Sequence, residues 1–157
     1  MSDEQERVVK VKDALSLEQV RWKLAALWFI GGAVITLLLI TQSVLGKYPG
    51  KVQNVWSWAL PTIMPTLSLI ITVLGANAWA VNGADDNRMV RRTFFRVAYG
   101  ISASYLLLVL ASILVEPFTP FEPVELLNLS SLWLAPFQGL AASAIAILFF
   151  TGRNRLT

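Results

Sequence analysis

The sequence predicts an all-α integral membrane protein, a four-transmembrane-helix bundle with both termini on the cytoplasmic side. Three observations lead there: four long apolar runs, an uneven distribution of lysine and arginine between them, and a low overall charge. Of 157 residues, 55% are hydrophobic and 15% charged, whereas a soluble domain carries roughly a quarter charged residues. Lipid is the solvent that fits such a composition.

The N-terminal cytoplasmic segment, residues 1–23, opens with a frayed, charged run from Ser2 to Arg7 and continues through Val8, Val9 and Val11 among Lys10 and Lys12. It is too short to make a domain. Ser16 with Gln19 three residues on fits a capping box, so a helix is expected from about residue 16 straight into the first span. That span, residues 24–45, contains no ionisable side chain and ends at Gly46, Lys47, Pro49 and Gly50. It is long enough to cross roughly 30 Å of hydrocarbon as a helix. Five acidic and five basic groups precede it, which favours an uncleaved anchor over a signal peptide.

An outer loop, residues 46–54, leads to the second span, residues 55–81, whose length calls for a tilt or a kink. The loop at 82–96 is basic. Asn82-Gly83 reads as a helix stop and Asp85 or Asp86 as the next cap. Arg88, Arg91, Arg92 and Arg96 fall at i, i+3, i+4 and i+8, one face of a helix. The expected role of that face is a cuff on anionic lipid headgroups, with a phosphorylated ligand or an acidic partner as the alternative.

The third span, residues 97–115, stops at Glu116-Pro117. The outer loop at 116–131 interleaves Pro117, Pro120 and Pro123 with Phe118, Phe121 and three glutamates. Thr119-Pro120-Phe121-Glu122 combines a cap residue, proline at the first helical position and glutamate at the third. It predicts a short separate helix through Val124, Leu126 and Leu127 along the outer surface. The fourth span, residues 132–151, and a tail at 152–157 complete the chain.

Orientation follows from the charges. The N-terminal segment, second loop and tail together hold eleven Lys and Arg, against two in the remaining loops, so the positive-inside rule makes the richer side cytoplasmic. Trp22, Trp79, Phe94, Phe95 and Tyr99 then sit at the inner interface, and Tyr48, Trp56, Trp58 and Trp133 at the outer one. The expected location is the plasma membrane, the inner membrane if the cell is bacterial.

Composition also bounds the chemistry. Cysteine and histidine are absent, which removes thiol, disulfide, Cys/His-metal and histidine acid–base chemistry. With no ionisable group inside any span, neither proton coupling nor catalysis has its usual residues. No enzyme activity, metal or cofactor is expected. A net charge of +3, carried beside apolar spans, gives no reason to expect nucleic acid. Small multidrug-resistance transporters depend on a glutamate in the first span, and residues 24–45 have none.

Depth along each helix groups Gln42, Thr62, Ser112 and Gln138 in the outer leaflet, flanked by Thr41 and Thr66. Pro61, Pro65 and Pro136 share that layer, and each proline frees a carbonyl one turn earlier. The layer is a candidate vestibule, permeation path or pocket, and otherwise a set of interhelical hydrogen bonds. Pro61, Pro65, Ser68, Thr72, Gly75 and Trp79 recur every three or four residues. Ala135, Gly139, Ala142, Ser143 and Ala146 make a comparable face on the last span. These patterns predict a subunit that oligomerises and forms a channel or permeabilising pore lined by Thr62, Thr66, Ser68 and Thr72. The alternative is a non-conducting anchor or assembly subunit that docks a partner protein.

Overall fold

A computed structural model describes residues 14–79 and 89–150. Helix α1 (Leu17–Val44) starts on the expected cap, with the Ser16 side chain accepting the Gln19 N–H at 3.4 Å. Its far end is a Schellman stop: Gly46 takes φ +73°, Lys47 N–H bonds the Gln42 carbonyl, and Gly46 N–H bonds that of Ser43. Tyr48-Pro49-Gly50-Lys51 then reverses the chain. Lys51 N–H donates to the Tyr48 carbonyl at 3.1 Å and Gly50 takes φ +71°, the composition of a type II turn. The Tyr48 hydroxyl donates to Gln42 Oε1 and fastens the turn to α1.

Three further helices follow, α2 (Val52–Trp79), α3 (Arg92–Leu114) and α4 (Pro123–Phe150). All four helices are long and apolar enough to cross a membrane. α1 packs against α2 and α3, and α4 packs against the same two, so the order around the bundle is α1, α2, α4, α3. The shared core includes Leu24, Trp28 and Ile35 of α1, Ile63 and Ile70 of α2, Tyr105 and Val109 of α3, and Leu134 and Ile145 of α4.

Two expectations are corrected. The segment after α3 holds a 3-10 turn, Glu116–Phe118, and no separate surface helix. Pro123, rather than Pro120, takes the first helical position, and α4 runs unbroken from there to Phe150 with Glu125 in its first turn. Nothing in Asn128-Leu129-Ser130-Ser131 breaks a helix: the Ser130 hydroxyl is absorbed by the Leu127 carbonyl at 2.6 Å. Leu126, Leu127 and Ser130 are buried, so the apolar face continues through the segment.

The arginine face is also different. Arg91 ends a strand, β2 (Met89–Arg91), which pairs antiparallel with β1 (Ala14–Ser16) in the register Ala14 to Arg91, Leu15 to Val90 and Ser16 to Met89. Extended pairing satisfies these backbones, and Leu15 and Val90 pack against the core. Arg92 opens α3. Arg91 therefore does not share a helical face with Arg92 and Arg96. Arg88 lies outside the described residues, as do the stop at Asn82-Gly83, the caps at Asp85 and Asp86, the run before Ala14 and the tail after Phe150. The strand pair marks one end of the bundle, called here the strand end. The turn from α1 to α2 marks the opposite, or turn, end.

Candidate functional site

Pro65 has no N–H, so the Pro61 carbonyl loses its partner in the helical ladder. Gln138 of α4 supplies the replacement. Its Nε2 donates to the Pro61 carbonyl at 3.0 Å and to the Thr62 carbonyl at 3.2 Å. The Thr62 carbonyl receives a second side-chain donor, the Tyr105 hydroxyl of α3 at 2.7 Å. Tyr105 is fully buried and stacks on Trp28 of α1 with ring centroids 5.6 Å apart. The proline break in α2 is thereby tied to all three other helices.

One turn toward the strand end, Trp28 Nε1, Thr66 Oγ1 and Ser102 Oγ are buried and have no hydrogen-bond partner among the described residues. Thr66 and Ser102 each follow the helical spacing from Thr62 and Tyr105 and lie in the bundle interior, at 1% and 0% exposure.

Of the expected polar layer, Thr62 and Gln138 meet. Gln42 is instead engaged by Tyr48 at the turn end, and Ser112 donates to its own helix at Leu108. Thr41, Thr62 and Thr72 likewise donate to the carbonyls of Leu37, Trp58 and Ser68. Such i to i−4 bonds satisfy a hydroxyl without a neighbouring helix. The residues named as a pore lining divide between two surfaces: Thr62 and Thr66 are buried within the bundle, whereas Ser68 and Thr72 are exposed outside it. Tyr105 was absent from the expected layer. Its signal is the lone tyrosine midway along the third span, since a phenol at that depth has to find an acceptor.

Between α2 and α4 runs a groove of about 480 Å³, lined by Asn54, Ser57 and Pro61 on one wall and by Asn128, Ser131 and Ala135 on the other, with Thr62 and Gln138 at its inner end. A second concavity continues it outward past Glu125 to Lys51 and Glu122, which form an ion pair across the mouth. From Val52 to Pro61 is nine residues along α2, so the cleft descends roughly 14 Å, with Trp58, Val124 and Leu134 lining it beside the amides and hydroxyls. The stripes of small residues begin in this groove, at Pro61 and Ala135, and continue along α2 and α4 toward the strand end. Pro61, Pro65, Ser68, Thr72 and Gly75 of α2 and Ala135, Gly139 and Ser143 of α4 are exposed.

Glycine packing separates this face from the interior. A Cβ at Gly31 would meet Leu106 Cδ1 at 2.7 Å, and one at Gly32 would meet Leu67 Cδ1 at 3.3 Å; at Gly75 and Gly139 it would meet nothing within 4 Å among the described residues. The first two glycines serve packing inside the chain, and the other two serve none there. No protein family, curated protein or solved structure was found to match the chain.

Proposed function

We propose that the chain is a non-enzymatic, multi-pass subunit of the plasma membrane, with both termini cytoplasmic. It associates with copies of itself through the α2–α4 face, and the assembly encloses a narrow pore or permeabilising conduit. The observation that carries this reading is the outward position of the α2 stripe. Pro61, Pro65, Ser68, Thr72 and Gly75 lie on the surface, and among the described residues a Cβ at Gly75 or Gly139 would touch nothing within 4 Å.

Glycine in a helix interior costs about 1 kcal/mol relative to alanine, and small residues are the ones that let helices approach in lipid. A single closed four-helix bundle has no room for a conduit, so the pore forms between chains. The lining then comes from Ser68 and Thr72 and from the open cleft ending at Gln138. Thr66, buried inside each chain, does not line it.

The test is conductance in reconstituted bilayers. Thr72→Leu and Ser68→Leu are expected to lower or abolish single-channel conductance while assembly persists, and Thr66→Val to leave it unchanged. A folded oligomer that never conducts would refute the pore.

The strand pair favours the second reading, an anchor that docks a partner protein. β1 pairs with the segment ahead of α3, and Arg91, Arg92 and Arg96 at that end are exposed; on this reading they supply the docking surface. A partner recovered from native membranes and lost with Arg91→Glu and Arg92→Glu would support it. Unchanged recovery would remove the arginine surface from the interface.

A further inference from the structure

On the side away from the α2–α4 cleft, α1 and α3 diverge around an apolar groove of about 790 Å³, within the size range of ligand sites. Its walls are Ala26, Ile30 and Val34 of α1 and Ala103, Leu107 and Leu110 of α3. The small side chains Ala26 and Ala103 leave it open near the strand end, and the contact between Gly31 and Leu106 closes its floor.

The groove is not uniformly apolar. Lys23 lines its strand end together with Phe95 and Tyr99, and Lys23 Nζ stands 5.9 Å from the centroid of the Phe95 ring. Arg92 and Arg96 follow the i, i+3, i+4, i+7 spacing that brings Phe95 and Tyr99 to the groove, so both positions fall on the groove side of α3. Both are exposed. Glu18, the acidic residue in the first turn of α1, lies about 140° around the helix from Lys23 by the helical repeat. Lys23 therefore lines the mouth of an apolar slot, with Arg92 and Arg96 at exposed positions on the same side of α3 by helical spacing, and no carboxylate lines the slot among the described residues.

We propose that this groove holds an anionic diacyl phospholipid. One acyl chain lies between α1 and α3, and the phosphate sits among Lys23, Arg92 and Arg96. The dimensions agree: Lys23 to Ile35 is twelve residues of helix, about 18 Å, close to one leaflet of a hydrocarbon core roughly 30 Å thick. The charge is complementary, since phosphate accepts from Arg and Lys and juxtamembrane cations attract anionic lipid. The inference rests on the proposed membrane placement with the basic end in the cytoplasmic leaflet, but not on the pore.

The test is native mass spectrometry of the full chain, delipidated in detergent and offered equal amounts of phosphatidylglycerol and phosphatidylcholine. At least fivefold more phosphatidylglycerol than phosphatidylcholine is expected to be retained. Lys23→Gln with Arg92→Gln, both at exposed positions, should bring that ratio to about one. Ala103→Trp should fill the slot and remove retained lipid of both kinds, and Lys47→Gln at the turn end should change neither. Equal retention of the two lipids by the unaltered chain would overturn the proposal. So would a preference that survives both the charge variant and a folded Ala103→Trp variant. Retention is read on the single chain, so the lipid site stands or falls whether or not an oligomer conducts.

Discussion

The two grooved faces of the bundle are built from opposite materials. Between α2 and α4 the surface is small, hydroxylated and broken by proline, and a cleft that mixes amide and hydroxyl side chains with Trp58, Val124 and Leu134 runs in from the turn end to Gln138. Between α1 and α3 it is branched and aliphatic, with Ile30, Val34 and Leu107 at 65%, 50% and 64% exposure, and its polar groups are confined to the strand end. Large aliphatic side chains are what a helix offers to acyl chains. Small residues and open glycines are what it offers to another helix. On the proposed reading the two faces take different neighbours, lipid on one side and protein on the other.

The largest effect expected is from bulk on the protein-facing side. Gly139→Leu should dissociate the assembly into single chains in detergent while leaving helical content unchanged, and Leu107→Trp on the other face should not alter the association state. Sedimentation velocity reads both. If the two variants behaved alike, the faces would not differ as described.

Next in size is the closure of the proline break. Gln138→Leu strands the Pro61 carbonyl, which Pro65 leaves without its helical donor, and should cost about 1 to 2 kcal/mol in reversible unfolding. Pro65→Ala restores an N–H to that carbonyl, so the penalty should fall by about half in a Pro65→Ala background. A double-mutant cycle without coupling would contradict the assignment. Tyr105→Phe removes only the second donor to the Thr62 carbonyl and should cost about 0.6 kcal/mol.

The smallest effect has the opposite sign. Thr66 Oγ1 and Ser102 Oγ are buried without a partner among the described residues, and exchanging such a hydroxyl for an apolar group is close to neutral or stabilising. Thr66→Val and Ser102→Ala should therefore unfold at the same denaturant concentration as the unaltered chain or slightly above it.

Much of the architecture was legible in the sequence, because a long uncharged apolar run has few other solutions. The cap at Ser16 was readable for the same local reason, a side chain and an N–H three residues apart. What escaped depends on distant partners. The strands Ala14–Ser16 and Met89–Arg91 are three residues each, too short for a period, and neither makes sense without the other. The start of α4 was misplaced because Pro120 and Pro123 both qualify as a first helical residue, and only the continuous burial through Leu126 and Leu127 decides between them.

The candidate site was legible in part. Prolines at Pro61 and Pro65 announced carbonyls in need of donors, and Gln138 lay at the right depth to serve one. Tyr105 was hidden because an aromatic ring in an apolar run looks like packing. The division of the α2 hydroxyls between inside and outside depends on where α4 sits, which spacing along α2 alone does not reveal.

The central claim is that copies of this chain meet through the α2–α4 face around a common axis. The most direct test is the mass of the purified complex in lipid nanodiscs, taken together with its Gly139→Leu variant. A closed ring of three or more chains that falls to single chains in the variant is the expected result. A monomer or a dimer for the unaltered protein would contradict it.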